Sequence, residues 1–232
     1  MERPDSFELV RRSLAYTREA LWERWERWIL LAIASIIFPV FAGYTLRIYR
    51  GADPAPEIDD WVRLFIDGVL VFAITLLYAL PVLLAALILG IGIAPFIAAA
   101  VLSFDLQALS GAVALAGSAL LVVLVLGLLL WLVYTLAIVR FARTESFREA
   151  FRAGAVLATI RRIGWADYLI ALTVLWLASL VYLALAAAAN ALPVLGWLAG
   201  IALMPAWGIF SARFVTLLYE CGEADPVRGD EP

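Results

Sequence analysis

Charge is absent from four long stretches of this chain: 28–46, 68–104, 106–139 and 168–211. Arginine, aspartate and glutamate gather in the segments between them, and Asp105 stands alone between the second and third. A helix crosses the roughly 30 Å hydrocarbon layer with about 20 apolar residues, so the four stretches hold at least four crossings. Helices without a polar face could not be covered by a soluble chain of this length. The pattern predicts an all-α, polytopic membrane bundle of about six transmembrane helices, at 28–46, 64–87, 88–105, 112–139, 165–189 and 195–218. Pro39 kinks the first. The run from 64 to 104 is about 41 residues, roughly 60 Å of helix at 1.5 Å per residue. That is twice a bilayer, and a reversal is expected near Gly90, Gly92 and Pro95.

Two charged segments also show helical periodicity. In 1–27, Phe7, Val10, Leu14, Leu21 and Trp25, with Trp28 just beyond, recur along one face, while Glu8, Arg11, Arg12, Arg18, Glu19, Glu23 and Glu26 fill the other. Asp5 and Glu8 have capping-box spacing. This is the pattern of an amphipathic interfacial helix lying on the bilayer, with lipid sensing or partner docking as the functional alternative. The segment 140–162 holds six arginines against two glutamates. Ser146 and Glu149 repeat the capping-box spacing, and Ala150, Gly154 and Ala158 form a small-residue stripe suited to helix packing. Residues 219–232 read as a polar tail.

Shifting the chain by 140 positions aligns Ser6-Phe7 with Ser146-Phe147, Arg12 with Arg152, Ala15 with Ala155 and Trp25 with Trp165. "ALPVL" also occurs twice, at 79–83 and 191–195. Such matches suggest an internal duplication. Arginine excess places 1–27, 140–162 and both termini on the cytoplasmic side of a cell membrane. The crossings between the two arginine-rich segments are then even in number: four in the six-span reading. Two suffice if the Pro39 segment dips in and out and 88–110 lies on the far surface.

Composition narrows the chemistry. The chain is 65% hydrophobic and 16% charged, with a mean hydropathy of +0.97, where soluble proteins average about 25% charged. It has no histidine, and all 17 of its basic residues are arginine. The lone Cys221 gives no disulfide framework or cysteine metal cluster. A net charge of −3 argues against nucleic acid as a partner. The alternating acids and bases of the first 27 residues do not resemble a cleaved signal. No serine or cysteine has a histidine base, and "GIGI" at 90–93 is followed by no aspartate of the intramembrane-protease kind. No cofactor is expected.

The densest polar stretch inside the apolar region is "GYTLRIYRGADPAPEIDDWVRLFIDG", 43–68, with three arginines and five carboxylates. Together with "LLYALP" (76–81), "SFREAF", "DYL" (167–169) and "LPVLGWLAG" (192–200), it resembles a prokaryotic, largely archaeal membrane family known as domain of unknown function 4013. The resemblance implies a multi-pass membrane protein and supplies no activity, cofactor or functional residues. Asp67 lies about a turn inside a span, where a lone charge is costly. The economical reading is an ion-paired clasp of Arg47 or Arg50 with Asp67 or Asp60. Tyr44, Trp61, Trp25, Trp28 and Trp165 are read as interface anchors. The alternative is a polar site in which Asp59, Asp60 and Asp67 bind a cation or an amine.

Two functions follow. One is a non-enzymatic scaffold or assembly partner, whose partners are the lipid bilayer and another protein or a homo-oligomer. The other is a transporter or flippase of a small or lipidic solute, which requires a polar cavity at the bilayer midplane. An enzyme is a distant third.

Overall fold

A computed structural model describes residues 5–191 and 195–223, and among these every regular element is helical. The helices are α1 (Ser6–Leu21), α2 (Trp25–Ile36), α3 (Phe38–Tyr49), α4 (Trp61–Ser103), α5 (Leu106–Thr144), α6 (Ala153–Ile163), α7 (Trp165–Ala189) and α8 (Leu195–Glu223). A 3-10 turn at Phe147–Phe151 precedes α6. Two compact units divide the chain: residues 1–72 with 135–232, and residues 73–134.

Among the described residues, four helices are long and apolar enough to cross a membrane: α4, α5, α7 and α8. The expected number was six, and both differences have a local cause. The segment 28–46 is two 12-residue helices, α2 and α3, each about 18 Å long and too short to span. Pro39 lacks an N–H and its ring crowds the preceding turn, so α2 stops at Ile36. The reversal expected at 90–95 does not occur either. α4 continues through Gly90, Gly92 and Pro95 for 43 residues. Glycine costs an isolated helix only about 1 kcal/mol, and a turn there would bare backbone groups among apolar side chains. The chain turns at the first polar opportunity, Ser103-Phe104-Asp105. There Asp105 accepts the Gln107 N–H at 2.8 Å.

In the unit of 1–72 and 135–232, the C-terminal half of α8 is the hub. Ile209, Phe210, Ala212, Arg213, Phe214, Val215, Thr216, Leu217, Leu218 and Tyr219 are all buried, because α1, α2, α3, α6 and α7 pack around them. The part of the expected polar tail that is described, 219–223, continues this helix; the rest lies outside the described residues, as does Glu2. α7 lies along α8, with Tyr182 stacked on Trp207 at 5.1 Å. α3 meets α4 backbone to backbone. A methyl group on Gly43 would stand 1.9 Å from the Leu64 carbonyl oxygen, and one on Gly68 would stand 1.6 Å from that of Pro39. Only glycine fits at these two positions, which bound the polar stretch 43–68.

The amphipathic segments differ in detail from the expected ones. The N-terminal helix ends at Leu21, so Trp25 and Trp28 belong to α2. α1 buries Leu9, Ser13, Tyr16, Thr17, Ala20 and Leu21, while Phe7 and Leu14 stay open. Asp5 and Ser146 stand at N-cap positions without a side-chain cap bond, and the glutamates of the two boxes turn elsewhere, Glu8 to Arg11 and Glu149 to Arg140 and Arg152. The small-residue stripe is broken at Arg152, where the 3-10 turn gives way to α6. Ala150 is buried, Gly154 faces open space, and α6 packs through Val156, Thr159, Ile160 and Ile163.

In the unit of 73–134, α4 and α5 pair antiparallel. Thr75 Oγ1 and the Tyr134 hydroxyl share a hydrogen bond of 2.8 Å, Tyr78 meets Tyr134 edge-on, and a methyl group on Gly127 would stand 3.8 Å from Val82. The groove further along is lined by Gly90, Ile93, Ile97, Ala116, Ala119 and Val123.

Candidate functional site: an arginine-bound loop

The loop joining α3 to α4, residues 50–60, and the last residue of α3 before it are held by side chains from five helices. α2 contributes Arg27, which donates to the carbonyls of Ala55 (2.7 Å) and Pro56 and to the Tyr44 hydroxyl (3.3 Å). α3 contributes Arg47, which bonds the Asp59 carboxylate and the carbonyls of Glu57 (3.1 Å) and Asp59 (3.2 Å). α1 contributes Tyr16, whose hydroxyl donates to the Ala52 carbonyl at 2.8 Å. α8 contributes Arg213, 2.6 Å from Asp53 and stacked over the Tyr16 ring at 4.6 Å. α5 contributes Arg143, which donates to the Tyr49 carbonyl at 3.1 Å and pairs with Glu220.

The loop needs these donors because its sequence, "RGADPAPEIDD", cannot satisfy its own carbonyls. Pro54 and Pro56 remove two N–H donors from it, and neither helix nor sheet supplies others. Arginine suits the role, since its planar fork carries five donors and stays charged. At the membrane side of the loop Arg50 Nη1 lies 2.9 Å from Asp67 Oδ2, and Arg50 Nε lies 3.5 Å from Glu145. Asp67 is buried, and Arg50 is the charged group paired with it.

The residues picked out in the sequence separate here. Arg50 and Asp67 come together. Arg47 reaches neither Asp67 nor Asp60 but Asp59. Asp60 caps α4 instead, accepting the Arg63 N–H at 3.2 Å. The three acids proposed as a cation or amine site therefore go to three different partners. Among the described residues no group of three or more acids, cysteines or histidines could hold a metal ion. The Arg47 hydrogen bond keeps the Asp59 carboxyl below the usual carboxylate range. Burial pushes the Tyr16 phenol upward, so it stays protonated and donating.

Of the anchor tryptophans, Trp25, Trp61 and Trp165 are 67%, 39% and 46% exposed. Trp28 is half-buried, stacked on Trp25 at 5.5 Å and donating to the Ala202 carbonyl at 2.8 Å. Tyr44 is not an anchor: it is fully buried, stacked on Phe41. Its helix is packed nearly all round, so a tyrosine near a charged boundary points inward.

Sequence reasoning missed Arg27, Arg143 and Arg213. Arg213 left a signal, a single charge inside "GIFSARFVTLLY" and inside the predicted span 195–218; such a charge requires a partner. Its partner, 160 residues away, left none. As chemistry, the arrangement is a set of charge pairs and carbonyl bonds that ties the loop to the helices around it.

The family model described as a protein of unknown function (DUF4013) matches residues 29–191. Neither a curated protein nor a solved structure matches the chain.

Proposed function

The chain belongs to the family of proteins of unknown function DUF4013, and from that premise we propose that it is a multi-pass cell-membrane protein acting as a non-enzymatic scaffold or assembly partner. One contrast supports this reading. Arg50, Asp53 and Asp59 of the α3–α4 loop are ion-paired inside the chain, while large apolar side chains of the spans point outward. Leu83, Leu87 and Ile91 of α4, and Leu121, Leu124 and Leu128 of α5, are each more than half exposed. Such faces meet lipid tails or other helices. The partners on this reading are the bilayer and another protein or further copies of the chain.

Four spans arranged as two hairpins put α1, the 145–164 segment and Cys221 on one side. The arginine excess makes that side the cytoplasm. This is the two-crossing arrangement between the arginine-rich segments. An impermeant thiol reagent should label Cys221 in inverted vesicles and not in intact cells; labelling from outside overturns the orientation.

Transport would require a polar cavity at midplane, and the groove between α4 and α5 is lined by Gly90, Ile93, Ile97, Ala116, Ala119 and Val123. The deciding experiment places a photo-crosslinker at Leu87 or Leu124 in native membranes and measures solute and lipid flux in proteoliposomes. Discrete protein adducts without flux are expected. Protein-dependent flux without adducts overturns the scaffold reading.

A further inference from the structure

The 3-10 turn and α6, between the spans α5 and α7, carry a surplus of open positive charge. Arg148, Arg152, Arg161 and Arg162 are exposed. Glu145 is occupied by Arg50, and Glu149 is shared between Arg140 and Arg152. Arg148, Arg161 and Arg162 form no ion pair among the described residues. Beside them lie open aromatic surfaces: Phe147 and Phe151, packed on each other at 5.3 Å, and Trp165 at the start of α7. We propose that this segment is a docking surface for anionic lipid headgroups, with Arg148, Arg161 and Arg162 binding lipid phosphates while Phe147, Phe151 and Trp165 enter the interface.

Charge complementarity selects an anion, because three guanidinium groups have no counter-ion among the described residues. The aromatics and the covalent tether select a lipid surface over a soluble phosphate. A segment strung between two spans stays at headgroup level, where aromatic rings settle and arginines meet phosphate. The inference rests on the membrane reading above, and the test separates the two.

The full chain is reconstituted into vesicles of equal phosphatidylglycerol and phosphatidylcholine, floated, extracted in mild detergent, and the lipid retained per protein is counted. Flotation with the vesicles reports the membrane reading whatever the headgroup. Phosphatidylglycerol should be retained about fivefold over phosphatidylcholine or more, and the ratio should fall near unity in Arg148→Gln/Arg161→Gln/Arg162→Gln. The matching triple lysine variant keeps the charge and should keep most of the preference, which guards against a mere folding defect. Equal retention by the wild type overturns the proposal, as does an unchanged preference in the glutamine variant. Loss of the preference when inorganic phosphate replaces chloride at equal ionic strength also overturns it, by making free phosphate the ligand.

Discussion

Arg213 Nη2 lies 2.6 Å from Asp53 Oδ2, joining positions 160 residues apart, and the two ends of the pair sit in different surroundings: 8% of the arginine side chain is exposed and 61% of the aspartate. Truncating each should therefore have unequal effects. Asp53→Ala strands a buried guanidinium and should destabilise by about 1–3 kcal/mol, a range lowered for the exposed end of the pair. Arg213→Met keeps an apolar stem over Tyr16 and leaves an aspartate that water can solvate, so it should cost less. Melting temperatures in detergent check the order; an arginine substitution costlier than the aspartate one contradicts it.

The two glycines at the α3–α4 crossing should be irreplaceable. In Gly43→Ala and Gly68→Ala the new methyl group meets backbone oxygen, which no rotamer change relieves. Each should cost about 1–3 kcal/mol or more. Gly90→Ala and Gly117→Ala face open space within helices and should gain about 0.5–1 kcal/mol. Thermal unfolding of the four variants side by side measures this.

Arg50 and Asp67 should be energetically coupled and Arg47 and Asp67 should not. A double-mutant cycle with Arg50→Gln and Asp67→Asn should give about 1–2 kcal/mol for this partly buried pair. The same cycle with Arg47 should give near zero, since Arg47 is bound to Asp59. Coupling to Arg47 as large as that to Arg50 would contradict the geometry.

Acid should loosen the loop and the 3-10 turn before it unfolds the spans. Asp59 and Glu149 are held below their ordinary values of 3.8 and 4.5 by hydrogen bonds from Arg47 and from Arg140 with Arg152. A lowered folded value means the stabilisation is full above those ordinary values and fades as pH falls through the folded ones. At the other extreme, the raised Tyr16 phenol holds its stabilisation below about pH 10 and loses it as pH rises through the folded value. Amide exchange at 57–61 and 147–151 should accelerate only below about pH 4. Tyr16→Phe should remove part of the alkaline loss. Acceleration already at pH 6 would speak against the carboxylates.

How much of this was legible follows from distance along the chain. The class was readable because uncharged runs of 37 and 44 residues have no soluble solution. The Arg50–Asp67 pair was readable because both ends lie within 17 residues on the flanks of one loop. The reversal in α4 was misplaced because bilayer thickness was imposed on a run whose glycines are weak breakers, whereas the turn waits for Asp105. Tyr44 was misread because a boundary tyrosine suits a lipid interface and a packed core equally well, and only the neighbours of α3 decide. The arginines that hold the loop come from helices whose proximity is tertiary, so no local pattern announced them.

The span of the Arg213–Asp53 pair also sets an order of events during synthesis. At about 5–20 residues per second, Arg213 leaves the ribosome roughly 8–32 s after Asp53. Through that interval the loop can draw on Arg27 and Arg47, but Asp53 has no guanidinium and Tyr16 no cation over its ring. The hub around which α1, α2 and α3 pack has not yet been made. A ribosome stalled anywhere before α8 thus presents a chain in which Asp53 and Tyr16 still lack the arginine that joins them.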